Sequence, residues 1–213
     1  MSRSRRTVVL LFAISCAAVS SVSASLPSPE NSTLPACINL VGSSAGVPAR
    51  AAGAFEVIVR DIANNPIQGA HVVIDLAQCP DLHFCADQFD PSVDVDCANK
   101  QVGKFTDQNG RATFVLLGGS NGSGNAVSLL NGGRVFRDGA LIGSPTVGAY
   151  DLDGSGGVGA SDLSAWLSDF ASGIPFGRSD YDCSFGVGAG DLSFWLTAFG
   201  SGQQAESCTA TCP

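Results

Sequence analysis

Two stretches of the chain place aspartates at the same offsets. The first, DLDGSGGVGASDL, begins at Asp151, and the second, DYDCSFGVGAGDL, begins at Asp180. Counted from its first aspartate, each stretch has carboxylates at positions 1, 3 and 12, a serine at position 5 and a glycine at position 7. A twelve-residue turn can point these oxygens at one centre, and Ca²⁺ takes carboxylate, hydroxyl and carbonyl oxygens as ligands. The spacing therefore predicts two calcium-binding loops.

The similarity between the two stretches continues beyond the loops. DLSAWLSDFASG (162–173) matches DLSFWLTAFGSG (191–202) at the same offset of 29 residues, which indicates an internal duplication. Apolar residues in each copy recur at the spacing of one helix face. We therefore expect an amphipathic helix after each loop, with position 12 in its first turn. These apolar residues are Leu163, Trp166, Leu167 and Phe170 in the first copy, and Leu192, Trp195, Leu196 and Phe199 in the second.

Tandem loops that end in aspartate, each followed by leucine and a helix, resemble the type I dockerin module over about residues 148–202. The resemblance implies a small calcium-folded helical pair that docks on a partner protein, usually a cohesin. It also implies the calcium ligands, two of which are glycines that contribute their backbone carbonyls. The implied ligands are Asp151, Asp153, Ser155, Gly157 and Asp162 in the first loop, and Asp180, Asp182, Ser184, Gly186 and Asp191 in the second.

Several positions depart from the dockerin pattern. Serine at position 5 leaves three carboxylates per loop, and glycine at position 9 leaves a place for water. We therefore expect weak binding, in the range of ~10⁻⁴ to 10⁻³ M. Phe185 stands at position 6 of the second loop, where the first has Gly156 and a positive φ is usual, so we expect the first loop to be the better site. Positions 10 and 11 lack the paired hydroxyls of many cohesin-binding dockerins. The alternative is that the loops are degenerate and the helices simply pack as a small core.

The region before the loops has the pattern of a β protein. FEVIVRD (55–61) alternates, AHVVIDL (70–76) is rich in Val and Ile, and NNPIQG between them has the composition of a turn. A second turn, DQNG, precedes ATFVLL. RVFRDGALIG (134–143) has the pattern of a hairpin that turns at Asp138 and Gly139. These short strands predict a β-sandwich over residues 37–149.

NPIQGAHVVID together with TDQNGRATFVLL is similar to bacterial immunoglobulin-like and carboxypeptidase-regulatory-like domains, over roughly residues 38–149. The resemblance implies a noncatalytic sandwich that serves as a spacer or binding module. For the whole chain we expect a mainly β fold. An immunoglobulin-like β-sandwich (37–149) is followed by a small α-helical, dockerin-like pair of calcium loop–helix repeats (150–202).

The start of the chain is typical of a secretory signal peptide, because three arginines precede an apolar run that ends in VSA. We expect a signal peptide at 1–24, a flexible Pro- and Ser-rich lead at 25–36 and a Cys-containing tail at 203–213. The protein would then be secreted and extracellular. Its net charge of −8, with no basic cluster after the signal, argues against a nucleic-acid partner. No apolar segment after residue 24 is long enough to span a membrane.

Seven cysteines follow the predicted cleavage site, and export to an oxidising compartment favours disulfides. Their distribution predicts three bridges, two in the front part of the chain and one at the back, with one thiol left over. The sequence does not decide the connectivity. The pairings that its spacing favours are Cys79–Cys85 and Cys37–Cys97 in front, and Cys183 with Cys208 or Cys212 at the back.

The segment 79–97 allows two interpretations. It holds three cysteines, several aspartates and His83, so it could bind zinc through His and Cys or calcium through Asp. The other interpretation is a disulfide-bonded loop with a solvated acidic surface. The second is favoured, since the spacings match no standard zinc pattern and export favours oxidised sulfur.

The chain offers few groups for catalysis. His71 and His83 are its only histidines, and the sequence contains no nucleophile-elbow, zinc-protease or phosphate-loop motif. The sequence therefore favours a secreted, noncatalytic calcium-binding protein. In it the dockerin-like module would mediate attachment to a cohesin-like or other extracellular protein. The alternative is a small carbohydrate-binding or carbohydrate-active protein, with a polysaccharide as partner, anchored through the same module.

Overall fold

The computed structural model describes residues 26–44, 47–48, 50–121, 130–200, 208 and 211–212 of the 213-residue chain. The predicted signal peptide and its cleavage site lie outside these residues. Within them the protein is mainly β, as predicted. The strands are β1 (Cys37–Leu40), β2 (Ser43–Ser44), β3 (Val47–Pro48), β4 (Ala54–Ile58), β5 (His71–Asp75), β6 (Leu82–Phe84), β7 (Asp94–Asp96), β8 (Gln101–Phe105), β9 (Arg111–Val115), β10 (Gly118–Ser120), β11 (Arg134–Arg137), β12 (Ala140–Gly143) and β13 (Thr146–Ala149). The helices are α1 (Arg50–Gly53), α2 (Ala160–Ser172) and α3 (Ala189–Gly200), with a 3₁₀ turn at Gly177–Ser179.

The largest sheet has five antiparallel strands in the order β12-β11-β5-β8-β7. Its middle strand, β5, is the predicted Val- and Ile-rich run, and Val72 and Ile74 on one face of it are fully buried. The predicted hairpin is formed by β11 and β12. Its turn residues, Asp138 with φ 45° and Gly139 with φ 83°, have the left-handed backbone that a two-residue turn of this kind requires.

Besides the short β2–β3 pair, three pairings add the remaining β structure. β4 pairs with β9, β6 pairs with β10, and β1 runs parallel to β13. Val57 and Val59 are buried as the alternation predicts, and the ring of Phe55 stacks on Phe114 with centroids 5.3 Å apart. Buried side chains from these pairs and from the five-stranded sheet form one hydrophobic core.

The segment 25–36, predicted to be a flexible lead, forms backbone hydrogen bonds with the β structure at Ser28 and Thr33. Thr33 and Ile58 exchange two backbone hydrogen bonds, at 2.8 and 2.9 Å, and the N–H of Ser28 donates to the carbonyl of Arg60. These residues lie beside β4 and its continuation. The backbone groups of residues 28 and 33 are therefore satisfied by a neighbouring strand, which the Pro- and Ser-rich composition does not reveal.

A second hydrophobic core joins the β structure to the helices. Tyr150 and Tyr181 both belong to it, both are buried, and their ring centroids lie 4.6 Å apart. The hydroxyl of Tyr150 donates to the carbonyl of Ala52 at 3.1 Å, and that of Tyr181 donates to the carbonyl of Ala149 at 3.0 Å. Its members come from both sides of the boundary predicted at residue 150. They are Val41, Ala52, Cys85, Val115 and Leu117 before it, and Tyr150, Leu152, Val158, Trp166, Tyr181, Trp195 and Ala198 after it.

A nearly buried ion pair lies beside this second core. Arg178 donates through Nε and a terminal nitrogen to both carboxylate oxygens of Asp169 in α2, at 2.8 and 2.7 Å. The hydroxyl of Ser179 also donates to Asp169, at 2.6 Å. Arg178 lies 3.9 Å from the buried carboxylate of Asp81, which precedes β6. This charged group thus contacts both the helical part and the β part of the chain.

The three disulfides connect the front of the chain to its back. They are Cys37–Cys183, Cys85–Cys208 and Cys97–Cys212. The predicted number is confirmed, but the predicted pairings are wrong, because each half of the chain supplies one sulfur to every bridge. Cys79, which we expected to pair with Cys85, is instead buried in the first core. Three disulfides are consistent with an oxidising, extracellular environment. Among the described residues, no helix is both long and apolar enough to cross a membrane.

The pairing can be checked by peptide mapping. Digestion of the exported protein without reduction should give three cystine-linked peptide pairs, each joining residues from 37–97 to residues from 183–212. Reduction should raise the intact mass by six hydrogens. A cystine that joins Cys79 to Cys85, or Cys37 to Cys97, would contradict the structure.

Candidate metal centre

Each predicted loop is closed by its last aspartate. In the first loop Asp162 is fully buried, and its Oδ1 accepts the backbone N–H groups of Leu152 and Asp153 at 2.7 and 3.0 Å. Its Oδ2 accepts the N–H of Gly159 at 2.6 Å, at the start of α2. One carboxylate therefore ties the beginning of the loop to the first turn of the helix, as in a capping box.

The second loop repeats this arrangement residue by residue. Asp191 is fully buried, and its Oδ1 accepts the N–H groups of Tyr181 and Asp182 at 2.6 and 3.0 Å. Its Oδ2 accepts the N–H of Gly188 at 2.7 Å. The duplication detected in the sequence is therefore a duplication of hydrogen-bonding geometry.

The first aspartate of each loop organises the turn. Asp151 accepts the N–H groups of Gly154 and Gly156 at 2.9 and 3.0 Å. Asp180 accepts those of Ser184 and Phe185 at 3.0 and 3.1 Å. These bonds hold each turn around a central carboxylate.

The aspartates at positions 1, 3 and 12 converge in both loops. In each loop one carboxylate oxygen from each aspartate lies within 4.8 Å of the other two. The two groups are Asp151, Asp153 and Asp162, and Asp180, Asp182 and Asp191. In both groups the first and last members are buried, and the middle member is the most exposed. Such a set of hard oxygen donors could hold a metal ion, and its chemistry fits Ca²⁺ rather than zinc.

The serines and glycines implied as ligands lie within the loops but not in these carboxylate groups. Ser155 donates its N–H to Asp153 at 2.9 Å, and Ser184 donates its N–H to Asp182 at 2.9 Å. The hydroxyl of Ser184 donates to the carbonyl of Gly186 at 3.3 Å, so two of the implied ligands of the second loop contact each other.

The converging charges change the acidity of the buried carboxyls. Burial raises the pKa of Asp162 to about 6, and the charge of Asp151 adds to this rise although three N–H donors oppose it. Burial also raises the pKa of Asp180 to about 6, together with the charges of Asp191 and Asp182. Burial and the charge of Asp182 likewise raise the pKa of Asp191. The charged form of these three carboxyls is therefore unfavourable unless a cation neutralises it.

The two loops differ in how their turns are made. Gly154 and Gly156 have φ of 73° and 92° in the first loop, where glycine carries no steric penalty. Cys183 and Phe185 occupy the same positions in the second loop, with φ of 55° and 68°. The positive φ expected for Phe185 is therefore present, and Cys183 adds a second left-handed residue that the sequence did not lead us to expect.

The helices that follow the loops are amphipathic, but their apolar faces are only partly covered. Trp166 and Trp195 are each 2% exposed and stack on Phe170 and Phe199, respectively. The structure leaves other large apolar side chains about half exposed in this part of the chain. They are Leu167, Phe170, Ile174, Phe185, Phe194 and Leu196.

The cysteines of segment 79–97 and the two histidines lie outside both carboxylate groups. Cys85 and Cys97 are held in disulfides, so they are not available as zinc ligands, and the segment 79–97 supplies no member of the two carboxylate groups in the described part of the chain. His71 packs its ring against Phe105, with centroids 4.7 Å apart. His83 is half-buried on β6, where burial and the charge of Lys100 lower its pKa.

Comparison of the chain with protein-family models, with curated proteins and with solved structures gives no match.

The raised pKa of Asp162 predicts an unusual dependence of stability on pH. Because its pKa is higher in the folded state, its favourable contribution is complete below pH 4 and is lost as the pH rises through about 6. In chelator, the melting temperature of the wild type should therefore fall between pH 5 and pH 7, relative to that of the Asp162→Asn variant. Differential scanning calorimetry at both pH values would measure this change.

The exposed Asp94 on β7 provides the control. The Asp94→Asn variant retains Asp162 and the other titrating groups, including His83, so its melting temperature should follow that of the wild type. A pH-independent difference between the wild type and the Asp162→Asn variant would contradict the buried-charge interpretation.

Proposed function

We propose that this is a secreted, noncatalytic calcium-binding protein in which each of the two loops holds one Ca²⁺. The observation that carries the proposal is the convergence of three carboxylates at matched positions of a duplicated loop–helix unit. The bound cation would neutralise aspartates whose charge is otherwise unfavourable. In the first loop Asp151, Asp153 and Asp162 would supply carboxylate oxygens, with Ser155 and the carbonyl of Gly157. In the second loop Asp180, Asp182 and Asp191 would do so, with Ser184 and the carbonyl of Gly186.

The first loop is proposed to be the stronger site. Its turn uses glycines at both left-handed positions, whereas the second loop places a cysteine and a phenylalanine there. The carboxylates at position 3 also have different surroundings. Asp153 is hydrogen-bonded by the side chains of Ser155 and Ser161, which lower its pKa and so favour its charged form. The matching Asp182 is exposed, and Gly190 takes the place of Ser161 in the second loop. Gly190 offers no side-chain hydroxyl to Asp182, and a Cβ atom at this position would collide with the Asp182 carboxylate.

We further propose that the loop–helix pair is a dockerin-like module that attaches the protein to a cohesin-like extracellular protein. The support is the half-exposed apolar set on α2, α3, the second loop and the segment that follows α2, since exposed apolar patches are typical of docking surfaces. The β part of the chain, proposed to be an immunoglobulin-like sandwich, would act as the spacer or binding module that is carried by this attachment.

Calcium should stabilise the full-length exported protein. Binding to the folded state alone adds RT ln(1 + [Ca²⁺]/Kd), about 2.7 kcal/mol for each site at a hundredfold excess over Kd. The Asp162→Ala variant should lose one of the two sites and show a smaller calcium-dependent rise in melting temperature. The Ser155→Ala variant should lose less, because the serine supplies one neutral oxygen. Isothermal titration calorimetry and differential scanning calorimetry would measure both effects.

The Asp94→Ala variant, changed at an exposed carboxylate outside the loops, is the control and should behave as the wild type. Asp191→Ala should be less damaging than Asp162→Ala, since the second loop is the weaker site. Equal melting temperatures in calcium and in chelator would overturn the calcium proposal. The reverse order of the two variants would overturn only the ranking of the loops.

Attachment can be tested with a purified type I cohesin domain. The immobilised domain should retain the protein in calcium and release it in chelator. Leu167→Ser on α2 should weaken binding roughly tenfold if this half-exposed side chain becomes buried at the interface. Leu141→Ser on β12 is the matched control, because Leu141 is 50% exposed and Leu167 is 49% exposed. Absence of binding, with calcium stabilisation intact, would overturn the attachment proposal alone.

A further inference from the structure

One disulfide ends inside a proposed metal loop. Cys183 is position 4 of the second loop and lies directly between Asp182 and Ser184. The other two disulfides end at Cys208 and Cys212, beyond α3. Cys37 and Cys183 belong to neither hydrophobic core, whereas the four cysteines of the other two bridges belong to the cores or pack against them. The Cys37–Cys183 link therefore acts on the loop in which it ends.

The second loop needs a constraint that the first does not. Cys183 and Phe185 both have the left-handed backbone, which L-residues other than glycine disfavour. Phe185 is 65% exposed, so burial of its ring contributes little to holding that conformation. Released from other constraints, this turn would tend to leave the left-handed region, and the ligand positions on both sides of it would move.

The disulfide fixes this turn to a core strand. Cys37 is the first residue of β1, where it pairs with Thr146 of β13, and the next residue, Ile38, is fully buried. Cys183 is therefore bonded to a position held by both a β ladder and the first core. The N–H groups of the two residues that follow it, Ser184 and Phe185, donate to Asp180. Pinning Cys183 thus holds the donors that orient the first carboxylate of the loop.

We infer that the Cys37–Cys183 disulfide preorganises the second loop for its cation, so that calcium binding at this loop and the disulfide stabilise each other. The inference rests on the proposed calcium function and adds regulation of one of its two sites by redox state. Linkage makes the effect reciprocal: reduction weakens binding by the same factor by which the cation disfavours reduction. The first loop contains no cysteine, so the inference concerns the second loop alone.

The bridge is placed where a reductant can reach it. Cys37 and Cys183 are both half-buried, whereas each of the other bridges has one fully buried partner, Cys85 or Cys212. Reduction by a dithiol such as dithiothreitol converts the cystine to two thiols. The two electrons and two protons come from the dithiol, which closes to a cyclic disulfide.

The first test measures affinity in the full chain. The Asp162→Ala change leaves the second loop as the remaining site, and Asp191→Ala leaves the first. Adding Cys37→Ser with Cys183→Ser should weaken calcium binding about tenfold in the Asp162→Ala background, a factor typical of coupled sites, and leave it unchanged in the Asp191→Ala background. Phe185→Gly should then restore part of the lost affinity, because glycine accepts the left-handed backbone, whereas Phe185→Ala should not. Isothermal titration calorimetry gives each constant.

The second test uses native cysteines, so it does not depend on the folding of the double serine variant. The protein is equilibrated with graded dithiothreitol in calcium or in chelator, alkylated and mapped by mass spectrometry. Calcium should shift reduction of Cys37–Cys183 to about tenfold higher dithiol ratios and leave the other two bridges unchanged. The shift should persist in Asp162→Ala and disappear in Asp191→Ala.

The outcomes of these tests distinguish this inference from the proposed calcium function on which it rests. Absence of calcium binding to the wild type would overturn both. Calcium binding at two sites, with second-loop affinity unaffected by the cysteine changes and with no calcium-dependent shift of Cys37–Cys183, would overturn the coupling alone. Equal protection of all three bridges would also overturn it, since that pattern reports general stabilisation of the fold.

Discussion

The C-terminal part of this protein depends on one constraint. Each of its two loops brings three aspartates close together, and two of the three are buried. In each loop the last aspartate is fully buried and accepts three backbone N–H groups, so that one carboxylate closes the loop and starts the helix. These donors offset only part of the cost, because Asp162 still has a pKa of about 6. The geometry that builds the loop is therefore the geometry that makes a cation favourable in it.

The two loop–helix units differ in how their turns are stabilised. The first copy keeps glycine at both left-handed positions, and its conformation is satisfied locally. The second copy has Cys183 and Phe185 there, and it is bonded through Cys183 to β1. The first loop thus relies on the conformational freedom of glycine. The second relies on a covalent bond to a strand that is distant in sequence. Two loops with the same ligand pattern can then differ in their affinity for a cation and in their sensitivity to reduction of the disulfide.

The helical part does not complete its core alone. Trp166 and Trp195 belong to a cluster that also includes the two tyrosines and, from the β part, Val41 and Val115. The hydroxyls of Tyr150 and Tyr181 donate hydrogen bonds to backbone carbonyls. Arg178 is hydrogen-bonded to Asp169 and also lies near the carboxylate of Asp81. A short pair of helices has little apolar surface of its own to bury, so a shared core and three cross-links supply what it lacks. The helical part and the β part consequently share one hydrophobic core.

The sequence by itself determined the features that depend on nearby residues. The alternation at Val57 and Val59, the turn at Asp138 and Gly139, and the equal spacing of the two aspartate sets all appear where they were predicted, because strand faces, tight turns and twelve-residue loops are set by local spacing. Tertiary structure alone decided the disulfides, which join residues 146, 123 and 115 positions apart. It also decided the shared core and the contact of Arg178 with Asp169. Those contacts depend on how the β part and the helices pack together, and no periodicity within either part encodes that packing.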